Sequence, residues 1–196
     1  SKLAKVTDGA VAFDGSGDYL NVPATDEFTF GTGDFTIETF IYHNTLSAGG
    51  NVIIDFRDAP GNTDAGALWK TSGGEFGWYV NRSNRVAGAT VAAKRWYHLA
   101  LVRNSGTTSL YVDGTSVGSF SDSFDYATKS GRAFVGALAD GTGTLYLDGF
   151  ISNLRIIKGT ALYTSNFTPP TRELTNVTNT KLLCCQSNTS VTTASV

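Results

Sequence analysis

Residues 95–118 read RWYHLALVRNSGTTSLYVDGTSVG. Trp96, His98, Ala100 and Val102 alternate with Tyr97, Leu99 and Leu101, which is the period-two pattern of a strand. Residues 104–107 supply a turn and 109–112 a second strand. Asp113-Gly114 is the residue pair suited to a type I′ hairpin, because both central positions take positive φ. Residues 115–120 form the third strand. A four-residue loop at 104–107 sets Leu101 opposite Leu110 and Leu99 opposite Val112. The Asp-Gly turn then sets Val112 against Thr115 and Leu110 against Val117. Leu99, Leu101, Leu110, Val112 and Val117 thus share one face, and a one-residue slip would scatter them across both. The opposite face, with His98, Tyr111 and Ser116, reads as the more polar.

Outward from this meander the same grammar recurs. Apolar runs at 10–13 and 19–22 flank Asp14-Gly15-Ser16-Gly17-Asp18, which reads as a hairpin with a glycine-rich, doubly acidic turn. Residues 34–42 alternate with bulky side chains on both faces, as expected of a central strand whose outer face is partly covered. Further short strands are expected at 51–56, 67–70, 75–80, 86–91, 132–138, 144–147, 149–157 and 181–185, the last at an edge. No interval between them has room for a helical crossover, so the pairing is antiparallel. Residues 158–167 do not alternate and are expected to form a short helical turn ended by Pro169-Pro170. The fold class is all-β, an antiparallel sandwich or jelly roll.

Composition agrees and excludes other classes. Of 196 residues, 41% are hydrophobic and 16% charged, with 22 Gly and 12 Phe, a strand-and-turn balance rather than a helical or disordered one. A net charge of -2 without a basic cluster argues against a nucleic-acid partner. No apolar run is long enough to insert in a membrane as a helix. The expected organisation is one domain over 1–186, followed by a small, polar tail or linker over 187–196. That ending and the absence of Met favour a piece of a longer chain. Cys184 and Cys185 are adjacent, and strand neighbours point to opposite faces, so they are expected to be free thiols.

GAVAFDGSGDYLNV, GDFTIETFIY, RWYHLALVRNSGTTSLYVDGTSVGS and DGFISNLRIIKGTALY occur in the order and spacing of laminin-G-like domains of the concanavalin A-like lectin/glucanase superfamily. The resemblance spans residues 9–165. The ending LYTSNFTPPTRELTNVTNTKLLCCQS resembles the version found in structural and tail-fibre proteins of tailed bacteriophages. The resemblance implies two packed antiparallel sheets, a location on the virion surface, and partners that are host-surface glycan or other virion proteins, with homo-oligomers in the assembly. The fold alone does not assign a function, since it hosts lectins, glycosidases and structural modules.

Glycoside hydrolysis needs two carboxyl groups flanking the bond. Related hydrolases cluster acids of the E-x-D-x-E kind on one strand, and that cluster is absent: Glu27, Glu38, Glu75 and Glu173 are each isolated along the chain. Glu38 and Glu75 can meet only across strands, and a structural role for them is favoured. Two histidines, His43 and His98, make neither a metal cluster nor a nucleophile triad. A non-catalytic domain is expected. Related domains often hold a structural calcium, and Asp14 and Asp18 offer hard oxygen ligands, with Asp148 and Asn153 as further candidates. Ser152 and Asn153 stand where the resemblance leads one to expect an acid, which equally allows an Asx-stabilised turn. Sugar binding needs an aromatic surface with polar groups beside it. Trp69 and Tyr79, with Asp55, Arg57, Asp58, Asn81 and Arg82 on the adjoining loops, are the candidates. Phe76, Trp78 and Val80 share a face, which favours Trp78 as core and turns Tyr79 outward.

Overall fold

Leu99, Leu101 and Leu110 are fully buried because the meander lies inside a larger sheet. In the computed structural model, which describes residues 9–57, 65–126, 133–138 and 145–186, β8 (Trp96–Asn104) and β9 (Thr107–Val112) pair antiparallel. Leu101 faces Leu110 and Leu99 faces Val112, as the alternation requires. Asp113 (φ 49°) and Gly114 (φ 77°) close the tight turn into β10 (Thr115–Ser121), where Thr115 faces Val112. Beyond Ser116 the register shifts by a bulge, so that Leu110 lies opposite Gly118 rather than Val117. The shift has a packing reason. A Cβ on Gly118 would lie 2.9 Å from the Val86 side chain, and one on Gly88 would lie 2.9 Å from that of Val117. Bare backbone at these two positions lets β10 approach the other sheet.

The first sheet runs in the order β1 (Val11–Asp14), β12 (Asp148–Lys158), β3 (Phe35–His43), β8, β9, β10, with β13 (Thr180–Cys184) also paired to β12. The second runs β2 (Leu20–Val22), β11 (Ala133–Val135), β4 (Asn51–Asp55), β5 (Gly66–Lys70), β6 (Glu75–Val80), β7 (Ser83–Thr90). Every pairing is antiparallel. Between the sheets Phe35, Ile37, Ile41, Leu99 and Leu101 meet Ile54, Leu68, Phe76 and Trp78 in one core. Trp78 is core, its indole N–H donating to the Tyr126 hydroxyl at 3.1 Å.

Other expectations need correction as well. Asp14–Asp18 does not close a hairpin: β1 pairs with β12 in one sheet and β2 with β11 in the other, so the turn crosses between sheets. Residues 145–147 form no strand, and Thr144 lies outside the described residues. Residues 160–170 are neither helix nor strand. They form a strap over the outer face of the first sheet, tied where Thr36 Oγ1 donates to the Thr160 carbonyl and the Leu162 N–H donates to Thr36 Oγ1, both at 2.9 Å.

That strap changes the character of the face it covers. Tyr163 and Phe167 stack with centroids 3.6 Å apart and planes 6° from parallel, over Ala100, Val102 and Tyr111. His98 and Tyr111, expected on a polar face, are buried beneath it. Glu38 is buried there as well, with Arg155 Nε donating to Oε1 at 2.8 Å, the Tyr163 hydroxyl donating to Oε2 at 2.9 Å, and His98 Nε2 at 3.3 Å from Oε2. Burial by itself would raise the Glu38 carboxyl; the hydrogen bond with His98 and the Arg155 charge outweigh it and hold the group below its ordinary value. Glu75 is exposed on the other sheet, so the two glutamates do not meet.

Candidate ligand-binding face

The second sheet's outer face follows from register. Antiparallel partners share a face, so Asn21, Phe134, Asp55, Ala67, Tyr79 and Asn84 form one row across all six strands. The adjoining row is Val52, Trp69, Gly77 and Ala87. Ala67, Gly77 and Ala87 carry little or no side chain, so the two large rings stand over low ground. Trp69 and Tyr79 are half-buried, with centroids 5.8 Å apart and planes at 72°. Val52, Arg57, Ala67, Trp69, Tyr79, Leu138 and Leu145 enclose an open depression of about 210 Å³.

Its polar margin is pre-organised. Arg57 Nε donates to Asp55 Oδ1 and Nη2 to Oδ2, each at 2.8 Å, a bidentate pair in which both residues are buried. The Arg57 N–H also donates to Asp55 Oδ1 at 3.0 Å. This holds the guanidinium 5.1 Å from the centre of the Tyr79 ring, where cation–π attraction fixes the ring in turn. Trp69 Nε1 donates to Asn84 Oδ1 at 2.9 Å. Asn84→Ala is therefore expected to release the indole: ligand affinity should fall about fivefold, near 1 kcal/mol, while stability changes by less than about 0.5 kcal/mol because the site is exposed. Titration calorimetry beside thermal denaturation checks both halves.

Four of the seven residues expected at a sugar site, Asp55, Arg57, Trp69 and Tyr79, are thus brought together. Asn81 (φ 49°) and Arg82 (φ 60°) form the exposed two-residue turn between Val80 and Ser83 and do not line the depression. Asp58 lies outside the described residues. Asn84, Val52, Ala67, Leu138 and Leu145 were not anticipated. Asn84 was accessible in principle, because a two-residue turn at Asn81-Arg82 brings it near Tyr79 once the bulge between Trp78 and Tyr79 is allowed for. Leu138 and Leu145 arrive from a distant part of the chain and carried no local signal.

A second aromatic group was also unforeseen. Tyr42, Trp96 and Phe150 form a half-buried row across β3, β8 and β12 on the first sheet's outer face, with Tyr42 5.5 Å from Trp96 and 5.8 Å from Phe150 between ring centroids.

The acidic turn is a different matter. Asp14 and Asp148 are cross-strand partners, and Gly15 lies against Asp148. The carboxylates are engaged locally: Asp14 Oδ1 accepts the Ser16 N–H at 2.7 Å, and Asp18 Oδ2 accepts the Asp14 N–H at 3.3 Å. Asp148 accepts from Asn44 Nδ2 at 2.9 Å and Thr45 Oγ1 at 2.5 Å. Asn153 sits apart, buried in the β12 bulge at φ 52°, where Oδ1 accepts the Leu174 N–H at 2.8 Å. Among the described residues no three His, Cys, Asp or Glu side chains converge to hold a metal ion. The donor set fits an Asx-closed turn better than a calcium site.

The described residues thus form an antiparallel two-sheet sandwich with an aromatic depression on one outer face. Residues 14–163 match the Laminin_G_3 family model, described as the concanavalin A-like lectin/glucanases superfamily, and the chain belongs to that family. No curated protein sequence gives a significant match. Among solved structures, the fold resembles a Bacteroides ovatus protein named as a candidate carbohydrate-binding protein (TM-score 0.71, 17% identity, covering 94% of this chain and 53% of that one). It also resembles the CBM40 domain of a Ruminococcus gnavus sialidase bound to α2,3-sialyllactose (TM-score 0.62, 14% identity, covering 81% of this chain and 94% of that one). Domains LG4-5 of the mouse laminin α1 chain are similar at TM-score 0.57 and 18% identity, over 87% of this chain and 48% of that one. This chain therefore spans about half the length of the Bacteroides protein.

Proposed function

We propose that this chain is a non-catalytic carbohydrate-recognition domain whose ligand rests on Trp69 and Tyr79. The observation that carries the reading is the depression itself: two half-buried rings over Ala67 and Gly77, bordered by the Asp55–Arg57 pair. Aromatic faces take the apolar face of a sugar, and fixed polar groups beside them orient its hydroxyls. At about 210 Å³ the space is below the usual range of small-molecule pockets, roughly 300–1,000 Å³, and suits one terminal sugar ring. The carbohydrate-binding neighbours support the reading. So does the separation of the two glutamates expected to meet across strands, Glu38 buried under the strap on one sheet and Glu75 exposed on the other. The likeness of the ending to phage tail-fibre proteins supports a host-surface glycan as ligand and the virion surface as location, with other virion proteins or further copies as neighbours.

The row Tyr42, Trp96 and Phe150 favours a second reading, an interaction module that packs against another protein through this strip and binds no sugar. A glycan array with and without Ca²⁺, on the parent and on the Tyr79→Ala and Trp96→Ala variants, separates the two. The expected result is calcium-independent binding, weakened at least tenfold by Tyr79→Ala, about 1.4 kcal/mol, and unchanged by Trp96→Ala. Silence of the array under both conditions would sink the lectin reading; loss through Trp96→Ala alone would move the site to the other sheet.

A further inference from the structure

On a regular strand the side chains of Cys184 and Cys185 would point apart. Here β13 ends at Cys184, and Cys185 turns to φ 63°. That single left-handed residue cancels the alternation, and the two sulfurs lie 3.6 Å apart, with the Cys185 thiol directed at Cys184 Sγ. The turn is fixed from outside the pair: the Cys185 carbonyl accepts the Asn153 N–H at 3.0 Å, and Gln186 Nε2 donates to the Leu174 carbonyl at 2.5 Å. Cys184 is half-buried and Cys185 buried, both as free thiols.

We propose that Cys184 and Cys185 form a redox-active vicinal dithiol that small disulfide oxidants, such as oxidised glutathione, convert to an intramolecular disulfide. The more exposed Cys184 attacks first. Its thiolate takes one sulfur of the oxidant, the oxidant's S–S bond breaks, and one glutathione thiolate leaves. Cys185 Sγ, already in van der Waals reach, then attacks Cys184 Sγ and displaces the second glutathione. The two thiol protons pass through solvent to the released thiolates, so two protein thiols are oxidised and one oxidant disulfide is reduced. Before oxidation, the hydrogen bond to Cys184 and burial both raise the Cys185 thiol, which leaves Cys184 as the entry point.

The product is easily reversed. Adjacent Cα atoms are about 3.8 Å apart, closer than the roughly 4.4–6.8 Å of ordinary disulfides, and a strained bond is more readily reduced. The pair thus belongs with labile, exchangeable disulfides rather than structural staples. It sits on the edge of the first sheet, remote from the Trp69–Tyr79 depression, so its behaviour is independent of sugar binding.

The test is to treat the reduced, folded chain with oxidised glutathione and follow intact mass and thiol titre, with Cys184→Ser and Cys185→Ala in parallel. The expected result is a monomer lighter by about 2 Da, loss of both titratable thiols, and full reversal by dithiothreitol. Cys184→Ser should stay unmodified and Cys185→Ala should stop at the mixed glutathione adduct. A parent that keeps both thiols, accumulates glutathione adducts, or cross-links into dimers would overturn the proposal.

Discussion

Glu38→Ala is expected to lower the unfolding free energy by about 3–5 kcal/mol, read from urea denaturation at pH 7. The carboxylate is fully buried under the 160–170 strap and satisfies Arg155, His98 and Tyr163 together. Its loss leaves the buried Arg155 guanidinium without its carboxylate partner, while the Thr175 carbonyl still accepts from Nη1 at 2.7 Å. The penalty is mainly that of a stranded charge, so removing both charges should cost less than removing one. Glu38→Met combined with Arg155→Met is expected to be more stable than Glu38→Ala alone. If the double variant is the weaker, the network's worth lies in shape rather than charge compensation. Since the folded Glu38 carboxyl lies below its unfolded value of 4.5, its contribution is present above that pH and disappears as pH falls through the folded value.

A second acid-sensitive contribution comes from His43, on the inner face at the end of β3. The ring is fully buried against Phe76, and neither nitrogen has a hydrogen-bond partner among the described residues. Burial, then the nearby Lys70 charge, push its pKa down from 6.5 to about 4, with Asp148 opposing. Between these values the unfolded chain binds a proton that the folded chain refuses, so stability falls as pH drops from 6.5 towards 4. The full span is about 3 kcal/mol. His43→Leu removes the titrating ring, and its unfolding free energy should lack that part of the acid slope in denaturation series at pH 7, 6, 5 and 4.5. A variant that loses stability with pH as steeply as the parent would assign the acid lability elsewhere.

The meander was legible because local rules act there without competition: alternation fixed the β8–β9 register and Asp113-Gly114 fixed the turn. The prediction failed one residue past Ser116, where a bulge answers to Val86 and Val117 at the contact between sheets, which local spacing does not record. Asp14–Asp18 departs from expectation for a related reason, since a short turn has the same composition whether its strands pair or part. Residues 158–167 offered aromatic spacing of four, at Tyr163 and Phe167, which suits a helical turn as well as a strap; the deciding contact is Thr36, more than a hundred residues away. At the candidate site, Trp69 and Tyr79 were recoverable because outward-facing rings on an alternating strand stand out. Leu138 and Leu145 were not, because their neighbours are set by the sandwich as a whole.

β12 brings the two ends of the described chain together. Both β1 and β13 lie along the same edge of that strand and run in the same direction, with Val11–Asp14 following on from Thr180–Cys184. Ser152 Oγ donates to the Gly9 carbonyl, and the next residue, Asn153, donates to that of Cys185. The described chain therefore enters and leaves almost at one point, like a ring cut within a strand. Such a module can be spliced into a host protein's surface loop without separating the two ends of that loop. Both junctions then lie on the sheet opposite the Trp69–Tyr79 face, which they leave uncovered.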